Sequence, residues 1–258
     1  IRRGAPIMAL ALSGNLLLGQ TTNDTPRDDE VLELDPYTLT ASKKKGYGAT
    51  SAIGATRINL PINDVPTTIV VVNREFMDDV GASNGLEALH WAGGVSSAAN
   101  VRTNAYSIRG QLPRGASTDF MDGLPGTGGA FHESEFIERW EIVKGPAGTL
   151  YGNHDIGGLI NRVMKQPLKT RQTTVKAMYS DIGNTWQSSI DSTGNIDKDG
   201  QITYRAIAVY RDGEIHNGGA DSKEAFFGTL NYAPKNSRTK FWGRFQYEFA
   251  DQGYENPA

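Results

Sequence analysis

The segment Phe241-Trp242-Gly243-Arg244-Phe245-Gln246-Tyr247-Glu248-Phe249, FWGRFQYEF, changes character at every step. Successive side chains of an extended chain point to opposite faces. Phe241, Gly243, Phe245, Tyr247 and Phe249 therefore share one face, and Trp242, Arg244, Gln246 and Glu248 share the other. The first face is aromatic and uncharged; the second is charged. Such a strand separates an apolar medium from a polar one. A soluble sandwich alternates in the same way, so the neighbouring segments must decide between the two.

Upstream, after Pro167, four more segments alternate with period two. In Thr173 to Ser180, Val175, Ala177 and Tyr179 oppose Thr174 and Lys176; Thr185 to Thr193 is more polar. Ile202, Tyr204, Ala206, Ala208 and Tyr210 share a face, as do Phe226, Gly228, Leu230 and Tyr232. Their connections alternate in length: Asp197-Lys198-Asp199-Gly200 is tight, Asp212 to Ser222 is long, and Lys235 to Ser237 is tight again. Strands of about ten residues with aromatics near their ends, one charged face, and short turns alternating with long loops favour the wall of a membrane β-barrel over a sandwich. Five strands cannot close such a barrel, so the expectation is a piece of a larger one, cut in a further long loop near Asp251-Gln252-Gly253-Tyr254.

Before Pro167 the pattern differs. Thr68 to Val72 reads as a short buried strand, and Asn73 as the N-cap of a short helix through Phe76 and Met77. Asn84 and Glu87 have capping-box spacing ahead of Leu86, Leu89 and Trp91, and Gly93-Gly94 ends that helix. Ala105 to Arg109 and Asp119 to Met121 read as strands. Ile137 to Val143 alternates, with Ile137, Arg139, Glu141 and Val143 expected on one side. A small mixed domain thus extends over about Ala55 to Lys165. At its end, Gly145, Gly148, Gly152, Gly157 and Gly158 crowd into one window beside the charged run ERWEIVK, 138–144. That window needs unusual backbone freedom.

The N-terminal part reads as an address and a tail. The chain begins at Ile1; Arg2 and Arg3 precede the apolar Ile7 to Leu12 and Leu16 to Leu18, so residues 1–20 resemble the remnant of a secretory signal peptide. A buried helix is the plainer alternative, but Ser13-Gly14-Asn15 interrupts it. Residues 21–54 read as a polar tail. Within it, Leu32, Glu33, Leu34, Asp35, Pro36, Tyr37, Thr38 and Leu39 alternate as a segment does that pairs with a partner's sheet edge, and a chance apolar patch fits as well.

Several chemistries are set aside. Among 258 residues, 26 basic and 29 acidic side chains give a net charge of −3, too balanced for a nucleic-acid surface. The absence of cysteine removes disulfides and thiol catalysis. No Gly-Lys-Ser/Thr follows the glycines, no G-x-S-x-G is present, and His90, His132, His154 and His216 lack metal-ligand spacing. Asn195 to Gly200 opens like a calcium loop, but its twelfth position is Ala206 where a glutamate is needed, so a β-turn at Asp199-Gly200 is expected. Nothing points to an enzyme, a metal site or a bound cofactor.

Ile137-Glu138-Arg139-Trp140-Glu141-Ile142-Val143-Lys144-Gly145-Pro146, Leu150-Tyr151-Gly152 and Ile156-Gly157-Gly158-Leu159-Ile160-Asn161 resemble the plug-domain signature of TonB-dependent outer-membrane receptors. Asp64-Val65-Pro66-Thr67-Thr68-Ile69, Tyr106-Ser107-Ile108-Arg109-Gly110 and Asp122-Gly123 stand in the same order as in that family. Asn153-His154-Asp155 and Met164 depart from it. The resemblance implies an α+β plug domain, a small mixed sheet with short helices over 55–166, followed over 167–258 by the first strands of an antiparallel transmembrane β-barrel of about 22 strands. It implies that Leu32 to Leu39 form the TonB box taken by the TonB protein of the inner membrane, and that outer-membrane lipid surrounds the wall. Arg109, Arg139 and Glu141 are expected to latch the plug to acidic residues of the barrel wall; the ordinary alternative for Arg139 and Glu141 is a cross-strand pair. A small-molecule ligand, with a ferric siderophore as first choice, is expected at Arg114, Pro125, Gly126, Thr127, Gly128, Gly129, Phe131 and His132, which otherwise read as a solvated loop. Cobalamin or an oligosaccharide is the alternative cargo, and a non-transporting signal receptor the alternative role. A soluble periplasmic adhesin fits the outward aromatics of the last strand poorly.

Overall fold

The computed structural model describes Tyr47 and residues 51–52, 60–62, 67–82, 85–97, 106–112, 119–126, 133–146, 156–214, 221–235 and 237–252. The expected signal remnant, the TonB box Leu32 to Leu39, Asn84, Arg114, Thr127, Gly128, Gly129, Phe131 and His132 lie outside the described residues.

The first part contains β1 (Ser51–Ala52) paired with β2 (Leu60–Pro61), then β3 (Thr68–Asn73), α1 (Arg74–Asp79) and α2 (Gly85–His90). β4 (Val95–Ser97) pairs with β5 (Tyr106–Ile108); β6 (Asp119–Met121), β7 (Leu124–Pro125), β8 (Ile137–Lys144) and β9 (Gly158–Met164) follow. The main sheet runs β3-β8-β9-β6-β7, with β6 parallel to β9 and the other pairs antiparallel. The helices start and stop for local reasons. The Asn73 side chain accepts from the Phe76 amide at 3.0 Å, Arg74 and Asp78 pair at 2.7 Å one turn apart, and Gly81 with φ +66° follows the end of α1.

β8 and β9 lie inside the sheet and are buried along nearly their whole length. The expected single face for Ile137, Arg139, Glu141 and Val143 does not form. A β-bulge between Ile137 and Arg139 shifts the phase by one, so Ile137 joins Trp140 and Ile142 in the core while Arg139 and Glu141 bond each other away from it. β3 is an edge strand, and of Ile69 to Val72 only Val72 is fully buried. The glycine-rich window has a steric cause. Gly158 holds φ +136°, and a Cβ there would collide with the Val143 carbonyl oxygen.

The second part is one antiparallel sheet in chain order, β10 (Gln172–Ser180), β11 (Thr185–Asn195), β12 (Ile202–Asp212), β13 (Asp221–Tyr232) and β14 (Phe241–Gln252). These five strands match the alternating segments of the sequence, with β10 and β14 at the two edges of the sheet among the described residues. The β11–β12 turn is closed by the Asp197 carboxylate, which accepts from the amides of Gln201 at 3.1 Å and Ile202 at 2.7 Å, while Gly200 takes φ +68°. Those amides, Ile202 first, hold the Asp197 carboxyl below its ordinary range. The segment is a β-turn, as expected.

The outward face of this sheet carries Val175, Tyr179, Trp186, Ile190, Tyr210, Phe226, Leu230, Phe241, Phe245, Tyr247 and Phe249, all exposed. The inward face is not uniformly polar. Ile207, Val209, Ala225 and Phe227 are buried and belong to the same apolar cluster as Met77, Phe136, Ile137 and Trp140. Phe136, in the 3-10 turn Ser134–Phe136, stacks on Phe227 with ring centroids 5.3 Å apart. Burying such a side chain contributes about 1.5–3 kcal/mol. The first domain is therefore packed onto the inner face of the second.

Candidate functional site

Where the two sheets meet, charges pair across the junction, most of them buried. Asp122 sits at φ +50° in the β6–β7 turn; its Oδ1 accepts from the Met164 amide at 2.9 Å, and its Oδ2 lies 2.6 Å from the Arg244 guanidinium of β14. Arg244 is also 5.6 Å from the Phe227 ring centroid and 5.5 Å from that of Trp242. Glu133, fully buried, lies 3.4 Å from Lys223 of β13 and 3.9 Å from Arg211 of β12, and its amide donates to Glu248 of β14 at 3.2 Å. Glu135 meets Lys176 of β10 at 3.2 Å and Lys165 at 3.5 Å. Asp78 meets Lys176 at 2.7 Å. Lys165, just after β9, bonds Asp191 of β11 at 3.0 Å, and Arg205 of β12 grips the same carboxylate at 2.8 and 2.7 Å.

The junction is polarised. Asp78, Asp122, Glu133 and Glu135 of the first domain face Lys176, Arg211, Lys223 and Arg244 of the wall. Only Lys165 with Asp191 runs the other way among these pairs. Burial lowers the Lys165 ammonium below its ordinary range, with Asp191 and Glu135 opposing the shift. Burial raises the Glu133 carboxyl, with Lys223 and Arg211 opposing. The sequence placed Lys176, Arg244 and Glu248 on the inward faces of their strands. It gave no sign that acids of the first domain would meet them.

Deeper inside, Arg162 of β9 pairs with Asp119 of β6 at 3.0 Å; burial works against its charge and Asp119 supports it. Gly126 caps this pair, because a Cβ there would come within 2.8 Å of the guanidinium. Asn161 joins two neighbours: its Oδ1 accepts from the Gly123 amide at 2.9 Å and its Nδ2 donates to Glu141 at 3.0 Å. Of the expected ligand residues, Pro125 and Gly126 are described; Pro125 is exposed in β7, and Gly126 donates its amide to the Asp119 carbonyl at 2.8 Å.

Arg139 and Glu141 are brought together. Arg139 Nε donates to Glu141 Oε1 at 2.8 Å, while one terminal guanidinium nitrogen of Arg139 is buried without a hydrogen-bond partner among the described residues. Arg109 is not brought to them. It stands at φ +52° beside Gly145 and Lys144, at the far end of β8 from Arg139. Burial first, then the Arg109 charge, lowers the Lys144 ammonium. Arg109, which follows β5, and Arg139 of β8 thus stand near opposite ends of β8, about five residues at 3.3 Å each apart. Near α1, the Tyr47 hydroxyl donates to Asp79 at 2.7 Å and its ring meets Phe76 edge-on at 5.1 Å.

Comparisons with known proteins agree with this architecture. Residues 61–159 match the family model of the TonB-dependent Receptor Plug Domain. The chain is 28% identical over 237 residues to the ferrichrome outer membrane transporter/phage receptor of Escherichia coli strain K12, covering 86% of this chain and 31% of that protein. It is 33% identical over 199 residues to the metal-pseudopaline receptor CntO of Pseudomonas aeruginosa strain UCBPP-PA14, covering 74% of this chain and 28% of the receptor. The crystal structure of the Pseudomonas aeruginosa ferripyoverdine receptor bound to ferripyoverdine superposes with a TM-score of 0.73 at 25% identity, over 81% of this chain and 28% of that one. The chain therefore spans about a third of the length of the curated relatives it matches. A plug sheet packed on alternating strands, the matched signature and these relatives together make the chain a TonB-dependent, siderophore-receptor-like protein.

Proposed function

We propose that the chain is the N-terminal portion of an outer-membrane importer that takes up an iron–siderophore complex with energy delivered by TonB. The observation that carries this reading is the plug sheet packed on the inner face of a wall whose outward face is exposed and aromatic. Ferrichrome and pseudopaline metal complexes, named for its relatives, give the cargo class. In this reading residues 1–20 are the remnant of a leader, 21–54 a periplasmic tail, 55–166 the plug, and 167–258 the first wall strands. Plug and tail face the periplasm. Leu32 to Leu39 are the TonB box, joined by strand addition to the TonB protein, which pulls on the plug. Arg114 and residues 125–132 contact the ligand from the outside. Arg109, and the open guanidinium nitrogen of Arg139, meet acidic residues of further wall strands at two separate points.

The test is uptake by iron-starved cells of the complete receptor, with ferrichrome, ferrioxamine B and ferripyoverdine as radiolabelled probes. At least one is expected to accumulate, and Leu34→Pro is expected to abolish accumulation while surface binding of the same probe persists. Normal uptake in Leu34→Pro removes the TonB box assignment. Binding without uptake in the wild type replaces import by a signalling role.

A further inference from the structure

On the inward face of the wall, Ile207 and Val209 of β12 stand in register with Phe227 and Ala225 of β13, and all four are buried. They form an apolar island. Its neighbours across β11 are Asp191 and Ser189, and across β14 they are Gln246 and Glu248. Along the strands, the next inward positions are Arg211 with Lys223 at one end and Arg205 with Thr229 at the other. Every inward position around the island is therefore polar. The plug covers it. Phe136 stacks on Phe227, and Phe136 and Ile137 are fully buried in the same cluster. The polar ring is engaged as well: Lys223 faces Glu133 at 3.4 Å, Lys165 bonds Asp191 at 3.0 Å, and the Glu133 amide donates to Glu248 at 3.2 Å. A dry apolar centre inside a polar rim is the anatomy of a lasting protein–protein contact. A boundary that parts to let a solute through has the opposite need, since each group must accept water in place of its partner. Ile207 and Phe227 offer water nothing, and wetting them would divide a core that runs on into Met77 and Trp140.

We infer that this island is the permanent seat of the plug: Ser134 to Ile137 stay on β12 and β13 throughout transport, and the cargo crosses elsewhere than along the inner faces of these two strands. The inference rests on the importer reading and adds to it which part of the plug–wall boundary does not open. The seated residues run directly into β8, an interior strand of the plug sheet, so the plug is held by its middle rather than by an edge. The Asp78–Lys176 pair differs in kind. It lies outside the ring, its side chains are 38% and 35% exposed, and water can replace either partner. Motion of the plug against the wall is therefore confined to contacts of that sort.

Thiol labelling during uptake tests it, because a cysteine reacts only where water reaches it. Ala225→Cys and Val209→Cys each place one thiol on the island, and Lys235→Cys places one in an exposed turn, all in a complete receptor otherwise free of cysteine. Iron-starved cells meet a small water-soluble maleimide while importing whichever of ferrichrome, ferrioxamine B or ferripyoverdine accumulates, and again after a protonophore has stopped uptake. Lys235→Cys should label in both conditions. At the island, the slow labelling rate is expected to agree between the two conditions within about threefold. A larger rise during uptake means that the route wets the seat; it overturns the inference and leaves import standing. Island labelling as fast as that of Lys235→Cys in both conditions overturns it too, because the seat would be wet at rest. No uptake of any probe by the wild type overturns the importer reading and this inference with it. Should Ala225→Cys not fold, Val209→Cys decides by the same criteria.

Discussion

β9 and β14 are both extended sheet strands, β9 with one antiparallel and one parallel neighbour and β14 with an antiparallel one, and they read in opposite ways. Every residue of β9 from Gly158 to Met164 is buried. In β14, Phe245 is 61% exposed and Phe249 57%, while the side chains of Arg244 and Glu248 are 11% and 18% exposed. The backbone geometry is shared; the number of surrounding media differs. β9 lies between two sheet neighbours inside the plug, with protein above and below. β14 divides the plug from whatever lies outside the wall. Period-two alternation in a sequence therefore reports a boundary between media rather than a strand as such.

The largest expected effect lies in β9. Ile160→Ala should destabilise the plug by about 2–5 kcal/mol, measured by denaturant titration with hydrogen exchange of β8 as the probe. A cost below 1 kcal/mol would mean that β9 does not have protein on both sides. On β14, Phe245→Arg should cost about 2–4 kcal/mol of folding free energy in phospholipid vesicles if the residue sits near the bilayer midplane. Gln246→Arg, its neighbour on the inner face, should cost much less; equal losses would erase the distinction between the two faces. Asn73→Ala removes the cap bond to Phe76 and should cost about 1 kcal/mol, read as faster exchange of the first turn of α1. The smallest effect belongs to the exposed Lys235–Asp199 pair at 2.7 Å, where Asp199→Asn should change stability by less than about 1 kcal/mol and not at all in high salt.

The same contrast explains what the sequence made legible. All five wall strands could be read, because each carries the boundary in its own residues. The cap at Asn73 and the turn at Asp197 to Gly200 could be read because their partners lie within a few residues. β9 was not read as a strand, since Asn161 and Arg162 interrupt its apolar run, and their partners Glu141 and Asp119 come from other strands of the sheet. The bulge in β8 was equally hidden, so Ile137 fell on the wrong face. The wall's inner face was expected to be polar throughout, yet Phe227 needs an apolar neighbour that Phe136 supplies from about ninety residues away. For the candidate site, alternation gave the facing of Lys176 and Arg244 but not their partners Asp78, Glu135 and Asp122. The separation of Arg109 from Arg139 could not be read, because sequence motifs do not carry the distance along β8.

The short passage from β9 to β10 has a mechanical consequence. Lys165 is bonded through its side chain to Asp191 and through its amide to the Phe136 carbonyl at 2.9 Å. Arg205 then grips the Gln166 carbonyl at 2.9 Å, and the Leu168 amide donates to Thr193 at 2.8 Å. The chain is thus fastened to β11 and β12 before Gln172, where β10 begins. A load drawn through the plug is handed to the middle of the sheet by these bonds, which share it in parallel. Little of it arrives at the first hydrogen bonds of β10, where peeling one pair at a time would need the least force. The linker thus acts as strain relief, sparing the pairing of β10 with β11 from any load on the plug.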